Sequence, residues 1–208
     1  QDKWEKALSK IDVNGDLLVQ KKIFYTALYH SMIAPNIFND VNGFYRGTDL
    51  QVHQSEDNTY TIFSLWDTFR ATHPLYTIIE QKKTKEFINI FLKNYLDGGQ
   101  LPIWELSANY TGCMIGYHVV SVIYDALVKG IELENEDLLL EAMLQVAQRD
   151  DLGIPEYRSN GFIPAEKETE SVSKTLEYSY NDWCIAMMAK RLNKTEIFNE
   201  YIARAQSY

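Results

Sequence analysis

Apolar residues recur at spacings of three and four along most of the chain, a pattern that predicts helix as the main state. After a short helix over 4–9, it marks seven helices, at 16–32, 65–80, 84–96, 113–129, 136–149, 172–191 and 194–206. Gly15-Asp16 opens the first, Gly98-Gly99 follows the third and Lys129-Gly130 closes the fourth. His73-Pro74 is expected to break or kink the second, because proline removes a backbone donor and crowds the preceding turn. The strand signal is confined to 59–63 and 44–46, joined by polar 51–58, and predicts one small hairpin.

The helices differ in kind, and the difference carries a fold. Segments 84–96 and 136–149 place their charges on one face, as outer helices do. Between them, 114–128 has a single charge, Asp125, and should be enclosed on all sides. The first half of 65–80 and the centre of 172–191 are similarly apolar and aromatic. Buried and exposed helices in alternation predict an all-α fold, part of an (α/α)6 toroid, rather than a bundle of equal amphipathic helices. If successive helices alternate in direction, the segments preceding residues 65, 113 and 172 open on one rim, so function is expected there.

Composition narrows the function without choosing it. The 208 residues can bury a substantial core. A net charge of −9, with no Lys/Arg cluster, excludes a phosphate-binding face for nucleic acid. No apolar run approaches the roughly 18 residues of a membrane span. Cys113 and Cys184 stand far apart in apolar segments and read as buried, unpaired thiols. Aromatic residues make up 13% of the chain, enough to line a cleft that stacks on the apolar face of a sugar. The chain opens on Gln1 rather than Met and reads as a piece of something longer.

Two constellations on the expected rim carry candidate chemistry. Ser64-Leu-Trp-Asp67 fits a helix-start capping box, with Arg70 placed to orient the Asp67 carboxylate. The same residues suit a sugar, Asp67 accepting from hydroxyls and Trp66 forming a wall. Trp104-Glu105 follows Gly98-Gly99 and Pro102, in a segment with neither helical nor strand periodicity, and offers a second ring and a second carboxylate. Spacing alone leaves Glu105 open as a general acid. His118 reads as a satisfied core histidine, and Glu166, Glu168 and Glu170 as solvated surface. No compact loop supplies the six to eight oxygens a calcium ion takes.

Several ordered stretches are familiar together: Phe24-Tyr-Thr-Ala-Leu-Tyr-His30, Asn42-Gly-Phe-Tyr-Arg-Gly47, Thr61-Ile-Phe-Ser-Leu-Trp-Asp-Thr-Phe-Arg70, Leu101-Pro-Ile-Trp-Glu105, Gly112-Cys-Met-Ile-Gly116 and Ser171-Val-Ser-Lys-Thr-Leu-Glu-Tyr-Ser-Tyr-Asn-Asp-Trp183. Over nearly its whole length the chain resembles glycoside hydrolase family 92, bacterial exo-acting α-mannosidases. The resemblance implies residues 1–15 as a linker helix region and 16–208 as the N-terminal part of the toroidal catalytic domain. It implies calcium-dependent, inverting hydrolysis of terminal mannose in mannose-rich glycans, outside the bacterial cytoplasm (periplasmic, cell-surface or secreted). Inversion needs one carboxylic acid at the leaving oxygen and a second carboxylate activating water.

The family's acid lies in a Tyr-x-Glu-Gly-Asn stretch and its base in a Gly-Asn-Asp-x-Gly-Gln stretch, and neither is found here. Tyr180-Asn-Asp-Trp183 has no flanking Gly and is not the second of these. By the resemblance the chain keeps a sugar-binding wall of Arg46, Trp66, Asp67, Trp104 and Glu105, without catalytic or metal residues. Its Trp-Glu pair looks like that of α-1,2-specific members, and calcium ligands are expected outside it. A helical binding module without chemistry of its own is the alternative. A partial toroid also leaves two apolar edges bare, so self-association through them is expected.

Overall fold

The computed structural model describes residues 2–207. Along the chain run α1 (Asp2–Leu8), α2 (Leu18–Ser31), β1 (Asn36–Ile37), β2 (Phe44–Arg46), β3 (Val52–Gln54), β4 (Tyr60–Thr61), β5 (Phe63–Ser64) and α3 (Leu65–Thr68). There follow α4 (Thr72–Ile79), α5 (Gln81–Gly98), β6 (Trp104–Leu106), β7 (Asn109–Tyr110) and α6 (Val119–Val128). The chain closes with α7 (Glu136–Val146), α8 (Ile154–Asn160), α9 (Ser171–Arg191) and α10 (Thr195–Arg204).

The helices form two layers, as expected of an arc of an α/α toroid. In the inner layer α4 packs on α6 and α6 on α9. In the outer layer α5 lies across α4 and α6, while α7 and α10 pack on α9. Seven of the ten residues of α6 are buried, so this helix is enclosed, as its lack of charge predicts. One core runs through both layers, from Phe63, Phe87 and Phe91 through Val120 and Ile123 to Ile185, Met188 and Tyr201. No helix among the described residues is long and apolar enough to cross a membrane.

Several expectations are corrected. The segment 65–80 breaks before His73-Pro74, at Phe69–Ala71, and Pro74 sits in the first turn of α4. A first-turn amide has no intrahelical partner, so proline is tolerated there. The β-structure exceeds a single hairpin: Phe44–Arg46 pairs with Val52–Gln54, and Tyr60–Thr61 pairs with Asn36–Ile37. These strands are two or three residues long, too short for alternation to register. The helix expected from 113 starts only at Val119, because Met114 and Gly116 both have positive φ. Cys113 is therefore exposed, while Cys184 is buried as expected, and both thiols are free. Residues 81–83 belong to α5 rather than to a turn, and α8 escapes the sequence pattern.

His73 sits 3% exposed in the core, edge-on to Phe87 and Phe91, with Nδ1 making no hydrogen bond. Burial lowers its pKa from 6.5 to about 4, so the ring stays neutral in the folded chain. Between those two values the unfolded chain takes up a proton that the folded chain refuses. Stability is full above pH 6.5 and falls as pH drops, by about 3 kcal/mol at pH 4. Melting curves at pH 7 and pH 4.5 should show a steeper acid loss for the native chain than for His73→Phe.

Candidate functional site

A three-stranded antiparallel sheet, ordered β5-β6-β7, brings the two candidate pairs together. Ser64 lies opposite Trp104, and Phe63 opposite Glu105. Side chains directly opposite share a face and neighbours along a strand do not, so the sheet has two unlike sides. On one side stand Trp104, Ser64 and, from α3, Asp67, whose Oδ2 accepts a short hydrogen bond from Ser64 Oγ. On the other side, Phe63 packs on Phe87 and Phe91, and Glu105 faces the core beside it. Residues 101–106, expected to be irregular, are thus partly strand.

The capping expectation changes with this geometry. Ser64 precedes α3 but caps no backbone amide; its hydroxyl is spent on Asp67. Arg70 does not orient Asp67. Its guanidinium lies over the Trp66 ring at 4.7 Å and the Phe69 ring at 4.8 Å, donates to the Trp66 carbonyl, and reaches Glu177 Oε1 at 3.4 Å. Asp67 is left exposed on the outer side.

Glu105 is 4% exposed and its carboxylate is fully used. It accepts from Thr61 Oγ1 at 2.9 Å, from the Ile62 amide at 3.1 Å and from the Ala108 amide at 2.6 Å. Ile62, Ser107 and Ala108 all have positive φ, costly for residues with a Cβ. Ser107 and Ala108 form the two-residue loop between β6 and β7, where positive φ at both positions matches the twist of a hairpin. Glu105 binds two of these three amides directly, and Thr61 Oγ1, itself bonded to Glu105, accepts the third from Ser107. The carboxylate therefore holds the rim in its strained shape. Burial pushes the Glu105 carboxyl up, against the pull of its three donors.

Arg46, exposed at the end of β2, reaches the far strand of the same sheet, with Nη2 3.5 Å from Asn109 Oδ1. It also lines, with Glu105 and Ala108, a cavity of about 10 Å³. The five candidate residues thus surround one small sheet, Trp66 and Asp67 at the β5 edge and Arg46 at the β7 edge. None of them lines the surface hollow of about 750 Å³ between residues 39–43 and 54–58. Among the described residues no three His, Cys, Asp or Glu side chains converge to hold a metal.

Glu177, on α9, is the residue that sequence reasoning overlooked. Its Oε2 lies 2.8 Å from Nε2 of His118, whose side chain is fully buried. The sequence shows it as an acidic residue within the Ser171-to-Trp183 stretch that carries the resemblance. His118 is buried as expected, and it also borders the site through Glu177.

Comparison with known proteins completes the picture. The model of the glycosyl hydrolase family 92 catalytic domain matches residues 1–208. A solved family GH92 α-mannosidase from Bacteroides thetaiotaomicron is 42% identical, with a TM-score of 0.93 over 99% of this chain and 28% of its own. A family GH92 inverting mannosidase from Bacteroides thetaiotaomicron VPI-5482 is 33% identical, with a TM-score of 0.92 over all of this chain and 29% of its own. A protein of Arthroderma benhamiae, described as an uncharacterized secreted glycosidase, is 24% identical over 92% of this chain and 23% of its length. The chain thus spans less than a third of each of these relatives. With the family's catalytic-domain model covering every residue and two solved members superposing along its length, the chain belongs to glycosyl hydrolase family 92, of whose catalytic domain it forms a part.

Proposed function

We propose that the full-length protein removes terminal α-1,2-linked mannose from mannose-rich glycans with inversion, and that this chain supplies one wall of the sugar site. The observation that carries the reading is the register of β5 on β6, which sets Trp104 beside the Ser64-Asp67 pair on one face. An exposed carboxylate beside indole rings suits a pyranose: oxygens accept from its hydroxyls while a ring covers its apolar face. Trp66, Asp67, Trp104 and Arg46 make the wall, and Glu105 shapes it from beneath. Solved relatives support the substrate class, one of them in complex with mannoimidazole and another described as inverting.

In this reading the acid, the base and the calcium ligands come from the remainder of the catalytic domain, beyond these 208 residues. Among the described residues no three His, Cys, Asp or Glu side chains converge as a calcium site would require. Residues 1–15, with α1 packed on α2, act as the linker region, and 16–208 as the first part of the toroid. A periplasmic, cell-surface or secreted location fits the description of the Arthroderma benhamiae relative as secreted. Expected self-association of the isolated chain rests on Val172, Leu176, Tyr180 and Trp183, exposed along one stripe of α9.

Asp67 tests the wall. Asp67→Asn keeps the shape and one acceptor oxygen but removes the charge. Charge-assisted hydrogen bonds contribute about 1.5–3 kcal/mol, so kcat/KM of the full-length protein on α-1,2-mannobiose should fall roughly 10- to 100-fold. An unchanged kcat/KM would remove Asp67 from the site.

A further inference from the structure

The turn that carries Trp66 and Asp67 cannot hold itself. Helix α3 spans four residues, and a single turn fixes more backbone freedom than its one or two hydrogen bonds return. On one side it is anchored by the sheet through Ser64. On the other, the contacts converge on Glu177, which belongs to α9, more than 100 residues away in sequence.

A chain of polar contacts leads to that carboxylate, two hydrogen-bond links of fixed direction followed by a close His118–Glu177 approach in which Nε2 makes no well-aligned hydrogen bond. The Tyr117 amide donates to Asn181 Oδ1 at 2.8 Å, which identifies the other end of the Asn181 side chain as the donor. Asn181 Nδ2 lies 3.0 Å from His118 Nδ1, so Nδ1 must be the unprotonated nitrogen of the ring. The proton of the neutral imidazole then sits on Nε2, 2.8 Å from Glu177 Oε2. Two further contacts lock the ring. Phe69 stacks on it at 3.7 Å with planes 2° apart, and a Cβ on Gly116 would lie 2.3 Å from Nε2.

From the site side, Arg70 reaches Glu177 Oε1 while lying over Trp66. The Trp66 indole nitrogen is buried and makes no well-aligned hydrogen bond. Burial opposes the charge of Glu177, yet His118, Arg70 and the nearby indole outweigh it and keep the carboxyl below its ordinary value. The carboxylate is thus charged, met by His118 from behind and by Arg70 in front.

We propose that Glu177 is a positioning residue for the sugar wall, fixing Trp66 and the turn that carries Asp67 through Arg70, which contacts Glu177 while lying over the Trp66 ring. The proposal rests on the reading of this face as a sugar site, and the test separates the two. The full-length protein is labelled with 5-fluorotryptophan, and its Trp66 signal is assigned with Trp66→Phe. Glu177→Gln keeps the shape and removes the charge. It should move the Trp66 19F resonance alone and raise KM for α-1,2-mannobiose about tenfold, the lower end expected when a charged hydrogen-bond partner is lost. kcat should stay within about twofold and the melting temperature should hold, whereas a merely structural role would shift both. Glu177→Asp, which keeps the charge at shorter reach, should move the same resonance less and serves if the Gln variant fails to fold. An unmoved Trp66 resonance overturns the proposal, and so does a moved resonance with an unchanged KM. If the native protein cleaves no α-mannoside, the sugar-site reading fails, and the resonance still decides whether Glu177 governs Trp66.

Discussion

Replacing Asp182 by alanine should destabilise the chain by roughly 3–5 kcal/mol, the loss expected when one partner of a buried ion pair is removed and the other charge is stranded. Asp182 is completely buried at the meeting point of the two helix layers. Its Oδ1 accepts from the Tyr117 hydroxyl at 2.6 Å, and its Oδ2 lies 2.7 Å from Arg204 Nε and 3.1 Å from the Tyr157 hydroxyl. Arg204 also donates to the Ala147 carbonyl just past α7. One carboxylate therefore ties the start of α6, α8, α9, α10 and the end of α7. Burial pushes its carboxyl above the ordinary range, and Arg204 and the tyrosine hydroxyls pull it back. At 2–4 °C per kcal/mol for a chain of this size, Asp182→Ala should lower Tm by about 10 °C. Asp182→Asn, which keeps an acceptor oxygen, should cost less. Equal melting of native chain and Asp182→Ala would remove the hub.

Glu105→Gln is expected to cost about 2–3 kcal/mol, although it changes a single atom. Whichever end the new NH2 group occupies, it points hydrogens at a backbone amide or at Thr61, leaving buried donors facing one another. According to which end takes the NH2 group, either Ile62 or Ala108, both at positive φ, loses the acceptor that holds it, and the turn around that residue should loosen first. Thermal melting gives the total. Amide hydrogen exchange at Ala108 and Ile62 gives the location, with faster exchange there than elsewhere. Faster exchange at one of the two is enough to support the role, and rates unchanged at both would show that the turn does not depend on Glu105.

The sequence carried the layered fold because the signal was long. Fifteen residues with one charge, flanked by helices with one charged face, leave few arrangements other than an enclosed helix between outer ones. The site was legible only in part. Trp66, Asp67, Trp104 and Glu105 stand out as rings and acids on rim segments, but their pairing depends on a strand of two residues, below the length at which period-two alternation can be seen. The same shortness hid which side of the sheet Glu105 faces. Strand neighbours point oppositely, so Trp104 and Glu105 could never both face a sugar directly from one flat strand. Glu177 stayed hidden for another reason. Its partners, Arg70 and His118, come from distant parts of the chain, and only the packing of α9 against α6 and the α3 turn brings the three together.

A binding wall separated from its catalytic groups should bind without cleaving, and the stereochemistry of release should be set by the full-length protein. Proton NMR of α-1,2-mannobiose incubated with calcium, once with the full-length protein and once with the 208-residue chain, tests it most directly. The full-length protein should release β-mannose first, the inverted anomer, and the isolated chain should leave the disaccharide intact. Turnover by the isolated chain, or initial release of α-mannose by the full-length protein, would contradict it.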